Sequence, residues 1–229
     1  MDTLPRLTRA RASDSVADML RASILGSTFR PGQRLDVKSL ADQLGVSPTP
    51  VKDAINRLAA EGLIDIRPRS GTFVTDITPK MVEEIFEIRR ALECLAAELM
   101  MARMTPALLR MFSNLTRQLE APVTNEQERS EHERANVALH MLFVESSGNE
   151  RLVEMYRSLN AHLTIARIHS RQRPDATRMD AELHEHSALL AAIEAGDTPR
   201  LVQVLGDHIR RAGKDLVEDV TLAQSTDRS

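Results

Sequence analysis

Apolar residues recur at helical spacing along most of this chain and give way to short β-prone runs in one region near its start. Val16, Met19, Leu20 and Ile24 predict a first helix within Ser13 to Ser27. Leu40, Ala41 and Leu44 predict a second. Gly45 then supplies the positive φ of a tight turn, Val46 plugs the core, Ser47 suits a helix N-cap and Pro48 suits the first helical position. Val51, Ala54, Ile55 and Leu58 continue the inward stripe of a third helix. Leu63 to Ile66 and Thr72 to Val74 read as the arms of a β-hairpin, joined by the cationic tip Arg67-Pro68-Arg69-Ser70-Gly71. Three helices and a basic hairpin make a winged helix-turn-helix over residues 13–76. The outer face of its third helix carries Thr49, Lys52, Asp53, Asn56 and Arg57, a set suited to phosphates and base edges in a major groove. A polar outer face also occurs on any paired helices, so the cationic wing is what favours DNA.

From Thr78 onward the pattern is helical at roughly 78–103, 105–120, 125–146, 149–170, 176–195 and 198–221. The joints are Thr105-Pro106, Ser147-Gly148-Asn149, Arg173-Pro174-Asp175 and Gly196-Asp197-Thr198-Pro199. The fold class is therefore mainly α: a winged helix followed by an all-α bundle over residues 77–225, with an interior able to hold a site.

Three histidines fall on inward stripes of that bundle. His140 shares its face with Val137, Met141 and Val144; His186 with Leu183, Leu190 and Ile193; His208 with Leu201, Leu205 and Ala212. One such histidine is ordinarily a core residue with a satisfied hydrogen bond, but three converging imidazoles form a ligand set for zinc, nickel or iron with positions left open. Asn136 lies four residues before His140 on the same face. His132, His169 and His184 fall on mostly polar faces, and the charge run from Arg167 to Arg173 reads as a solvated helix end.

Composition narrows the class. With 229 residues, 42% hydrophobic and only 3% aromatic, the chain suits two modest domains. Residues 1–76 hold 11 Lys+Arg against 9 Asp+Glu, and the remainder is acidic, so only the first part suits a polyanion. The first dozen residues, with Arg6, Arg9 and Arg11, read as a flexible basic arm. Cys94 is the one cysteine and falls in an apolar stretch, which excludes a disulfide within the chain and suits a cytoplasmic protein. No stretch reaches the length of a membrane span, and the first residues lack the apolar core of a secretory signal. HExxH, GxSxG and Gly-rich phosphate loops are missing, and no acid pairs with the histidines as an evident general base, so an enzyme is not expected.

The segment FRPGQRLDVKSLADQLGVSPTPVKDAINRLAAEGLIDIRPRSGTFV resembles the GntR family of bacterial transcription regulators, the match covering residues 13–75. The resemblance implies that Lys38, Ser47, Thr49, Lys52 and Arg57 face DNA, with Arg69 and Gly71 presenting the wing to the minor groove. The family usually has Arg where this chain has Pro48 and Lys52. An expected bidentate guanine contact is therefore missing, and the operator should differ from the family's commonest one. The stretches EIFEIRRALECLAAELMMAR, NVALHMLFVESSGNERL and EHSALLAAIEAGDTPRLVQVLGDHI resemble the FCD ligand-binding domain of the FadR-like subgroup. That resemblance implies metal ligands at Asn136, His140, His186 and His208, with Asn136 standing where metal-binding members have Asp and so weakening the site. It also points Arg89 into the pocket as a clamp for an organic acid, although an ion pair with Glu93 at i+4 is an equal alternative. His162 and Arg167 are further candidate effector contacts.

The expected protein is thus a cytoplasmic homodimer that grips a pseudo-palindromic operator in double-stranded DNA. Its helical domain senses a small carboxylate through a divalent transition metal, the hinge lying at Thr75 to Pro79. It is expected to repress. A metal-dependent hydrolase fused to a DNA reader is the alternative.

Overall fold

The structure is a computed structural model that describes residues 9–26, 28–159 and 176–226. By contact these fall into two compact units, one of residues up to 79 with 158–159 and 220–226, the other of residues 80–157 and 176–219.

In the first unit, α1 (Arg9–Leu25), α2 (Val37–Leu44) and α3 (Pro48–Ala60) surround a core of Val16, Ala17, Leu20, Ile24, Val51, Ala54, Ile55 and Leu58. Met19 does not join it. Positions 16, 17, 20 and 24 cluster on one side of a 3.6-residue helix while 19 lies about 100° away, so Ala17 is buried and Met19 is exposed. Asp36 caps α2 by accepting from the Ser39 N–H at 2.7 Å, and Gly45 ends the helix at φ 65°. Ser47 occupies the N-cap position of α3 with Pro48 following, yet its hydroxyl makes no capping bond. Arg21 clamps α1 to the end of α3 through a two-pronged pair with Glu61, at 2.9 and 2.8 Å.

The hairpin comprises β2 (Ile64–Arg67) and β3 (Gly71–Val74), paired antiparallel with Ile64 opposite Val74 and Arg67 opposite Gly71. A short strand β1 (Arg34–Leu35) adds to the other side of β3, giving the order β1-β3-β2. Two residues are too few to show the alternation by which a strand is read from sequence, so β1 was not expected.

The second unit is built from helices, some of which run on past its bounds: α4 (Pro79–Met101), α5 (Pro106–Leu119), α6 (Glu126–Ser146), α7 over residues 150–159, α8 (Ala176–Glu194) and α9 (Thr198–Thr226). The starts follow side-chain chemistry. Thr105 accepts from Leu108 N–H, Asn125 from Glu128 N–H, Asn149 from Leu152 N–H and Asp197 from Arg200 N–H, each satisfying a donor that the helix leaves open. The expected joint at Arg173 to Asp175 lies outside the described residues. Ala96, Val144, Leu152 and Tyr156 form one core cluster, and the Phe112 and Phe143 rings meet at 4.7 Å. Among the described residues no helix is long and apolar enough to cross a membrane.

Candidate metal centre and nucleic-acid interface

His140 on α6, His186 on α8 and His208 on α9 converge in the interior of the helical unit. All three are buried, and one nitrogen of each lies within 4.8 Å of one from either of the others. The periodicity of each helix turned its imidazole inward, and the packing brought the three together.

Two of the rings are oriented by carboxylates. His140 Nδ1 donates to Glu93 at 2.5 Å, and His208 Nδ1 donates to Glu185 at 2.7 Å. An ionised carboxylate only accepts, so the hydrogen sits on Nδ1, and in the neutral form of either ring the lone pair is on Nε2. Those two Nε2 atoms face each other at 3.2 Å. Two lone pairs at that distance repel unless a cation lies against both. Two imidazole nitrogens on one tetrahedral zinc ion would be ~3.3 Å apart. Among the described residues neither nitrogen of His186 has a hydrogen-bond partner, and the same holds for Asn136 Oδ1. The three buried imidazoles form a donor set that fits a divalent transition metal, and the buried Asn136 stands one helical turn from His140 on α6.

Burial keeps His140 and His186 uncharged, as a metal ligand requires. It pushes His140 down to about 4 despite the opposing pull of Glu93, and pushes His186 down to about 3, with the neighbouring His208 adding to the effect. The supporting carboxylates are ionised. Burial would raise Glu93, but Arg89 and then His140 outweigh it and hold it at about 2. Glu185 also stands at about 2, where hydrogen bonds from His208 and Arg211 overcome the same burial.

Arg89 lies within this network. It is buried, and its Nε donates to Glu93 Oε1 at 2.5 Å, with the Tyr156 hydroxyl donating to the same oxygen at 2.8 Å. Of the two roles open to Arg89 from sequence, the i+4 pair with Glu93 is therefore formed. Arg211 holds Glu185 through two nitrogens, at 2.6 and 2.7 Å. His162 and Arg167 lie outside the described residues. Asn136 Nδ2 donates to Glu182 at 3.0 Å, and His132 Nε2 stands 3.8 Å from the same carboxylate. His132 was read onto a polar face but its side chain is only 16% exposed, because α8 places Glu182 against that face. It also lines a groove of about 520 Å³ between α5 and α6.

The residues missed in the sequence as parts of this site are the carboxylates behind His140, Asn136 and His208, namely Glu93, Glu182 and Glu185. The available signal was spacing: Glu182 lies four residues before His186, and Glu185 adjoins it.

On the winged helix, Lys38, Ser47, Thr49, Lys52, Arg57 and Arg69 are exposed. Arg57 is engaged by Asp14 at 2.7 Å and Glu61 at 3.3 Å. Arg69 adopts φ 64° and Gly71 φ 128°, the two bends that shape the wing tip. Arg67 lies over the Phe73 ring at 4.7 Å, and Arg34 packs beside Gly71, so that guanidinium groups flank the tip.

The family model described as bacterial regulatory proteins, gntR family, matches residues 12–74, and the FCD domain model matches residues 84–211. The chain belongs to the GntR family, in the group with an FCD domain. This GntR regulator is 32% identical over 167 residues to the Nta operon transcriptional regulator of Aminobacter aminovorans, covering 72% of this chain and 76% of that one. It is 25% identical to the gluconate operon transcriptional repressor of Bacillus subtilis, over 95% of this chain and 90% of that one. Among solved structures it superposes on E. coli McbR/YncC with a TM-score of 0.70 at 25% identity, covering 90% and 97% of the two chains. The GntR regulator is thus a mainly α transcriptional regulator with a winged helix-turn-helix and a helical FCD domain, and repressors are among its relatives. The hydrolase alternative gains no support from these relatives.

Proposed function

We propose that this chain is a homodimeric, ligand-responsive transcriptional repressor whose helical domain senses a small carboxylate at a divalent metal. The convergence of His140, His186 and His208, with His140 and His208 each braced by a carboxylate, carries this reading. His140, His186, His208 and Asn136 hold the metal. When bound, the metal supplies a concentrated positive charge with coordination positions open to an anionic oxygen. Glu93 and Glu185 hold the ring tautomers, and Arg89 and Tyr156 hold Glu93, so the donors are preorganised before any ligand arrives. Arg89 pairs with Glu93 through Nε, and its guanidinium, with His162, Arg167 and the metal, meets the effector's carboxylate.

In the DNA-binding domain, Ser47, Thr49, Lys52 and Arg57 meet the major groove, Lys38 meets phosphate, and Arg69 and Gly71 carry the wing into the minor groove. Two copies read the two halves of a pseudo-palindrome. The effector acts only by its differential affinity for the DNA-binding and non-binding arrangements. Fluorescence anisotropy on an operator duplex selected by this protein from random sequences tests the switch. The Kd is expected to change when a library of small mono- and dicarboxylates is titrated in. A carboxylate that binds the protein and leaves the operator Kd unmoved would refute the coupling.

A further inference from the structure

Three of the four proposed metal-facing residues are each backed by a carboxylate. Glu93 accepts from His140 Nδ1 at 2.5 Å, Glu185 from His208 Nδ1 at 2.7 Å, and Glu182 from Asn136 Nδ2 at 3.0 Å. The first two follow a general device, in which the carboxylate fixes the ring and makes its far nitrogen a better donor. The third is the same arrangement on an amide. His132, Asn136 and His140 stand at four-residue intervals along α6, as do Glu182 and His186 along α8, so both members of the pair lie one helical turn from an imidazole of the cluster.

The amide orientation follows from the charges. Exchanging the oxygen and nitrogen of Asn136 would set a carbonyl oxygen against a carboxylate oxygen, two acceptors with no hydrogen between them, so Nδ2 is the atom facing Glu182. This leaves Oδ1, which is buried and has no hydrogen-bond partner among the described residues. An amide that donates to an anion is drawn toward its dipolar resonance form, with more double-bond character in C–N and more negative charge on oxygen. Oδ1 thereby gains part of the donor strength of a carboxylate, which a lone amide lacks.

We propose that Glu182 is a positioning residue that makes Asn136 an effective metal ligand, the hydrogen-bonded pair doing together what one ligating carboxylate would do. The proposal rests on the metal reading of the three histidines. Glu182 acts through Asn136 and does not itself touch the metal.

The test is a set of zinc affinities for the full chain, measured by competition with a chromophoric chelator, with cobalt d–d spectra as a second readout. Glu182→Gln and Asn136→Ala are each expected to weaken zinc binding about 10- to 100-fold. Because one acts through the other, Asn136→Ala/Glu182→Gln should be no weaker than Asn136→Ala by more than about twofold. Asn136→Asp/Glu182→Gln, which moves the carboxylate onto α6, should recover most of the affinity lost in Glu182→Gln. Thermal melts of the chelator-treated variants separate a loss of fold from a loss of ligand, and the exchange variant shows rescue that a merely structural Glu182 would not give. If Glu182→Gln binds zinc like the parent, or if the two single losses multiply, the proposal is overturned. If the parent binds no zinc, or His140→Ala binds it equally well, the metal reading fails instead.

Discussion

Nε2 of His140 and Nε2 of His208 face each other at 3.2 Å across the helical unit, although 68 positions separate them in the chain. Each ring is turned to this position by a carboxylate on its far side, Glu93 on α4 for one and Glu185 on α8 for the other. Protein purified without chelator should therefore carry transition metal in near-stoichiometric amount by elemental analysis. His140→Ala should lose it on dialysis. Glu93→Gln should weaken it about 10- to 100-fold, the usual loss when the partner behind a ligand is removed.

Acid should destabilise the metal-free protein in two steps. The folded-state values of His140 and His186 are depressed to about 4 and 3 from an ordinary value of 6.5. Below pH 6.5 the unfolded chain takes up protons that the folded one refuses, so stability falls as pH drops from 6.5 toward 4 and 3, by on the order of 1 kcal/mol per depressed unit. Glu93, Glu182 and Glu185, held at about 2 against an ordinary 4.5, contribute stability that is present above 4.5 and lost between there and 2. Urea midpoints of chelator-treated protein between pH 8 and 4 check the first step. A flat profile from 6.5 to 4.5 would show that the imidazoles titrate alike in both states.

Two glycines of α9 should respond to alanine with opposite sign. A Cβ on Gly206 would stand 3.6 Å from the Cys94 sulfur, an ordinary contact, so Gly206→Ala should stabilise by up to ~1 kcal/mol through helix propensity. A Cβ on Gly213 would stand 2.9 Å from the Phe86 ring, itself buried, so Gly213→Ala should lose ~1–3 kcal/mol to overpacking, less the same propensity gain. Thermal denaturation of both variants reads the signs directly, and equal shifts would mean that α4 does not pack tightly on α9 at Phe86.

Lys38→Ala should weaken operator binding almost equally across sequences and reduce the slope of log K against log salt by about 1, as loss of one phosphate contact does. Pro48→Arg should instead change the preferred sequence, since a guanidinium gains a bidentate hold on guanine worth ~1–3 kcal/mol at a matching base. Sequence selection on the variant would show no new guanine preference if position 48 does not reach the base edges.

The extent to which the site was legible differs residue by residue. His140, His186 and His208 were each placed on an inward face by spacing alone, and all three are buried. The pairing of Arg89 with Glu93 was legible from i+4 spacing, and the structure forms it with Tyr156 donating to the same carboxylate. His132 was placed on a mostly polar face because its near neighbours on α6 are polar, a local measure with no access to Glu182 from α8. The first hairpin arm lies one residue later than its sequence bounds and the second begins one residue earlier, and β1 was invisible because two residues carry no period.

The amino-acid sequence by itself determined the winged helix, the succession of helices with their breaks, and the direction in which each imidazole of the cluster points. These depend on a residue's own backbone period and on partners three or four positions away. Only the tertiary structure decided that Glu93, Glu185 and Glu182 stand behind His140, His208 and Asn136. Such pairings join atoms 23 to 47 residues apart in the chain, and they exist only once side chains of several helices have settled into one close-packed interior.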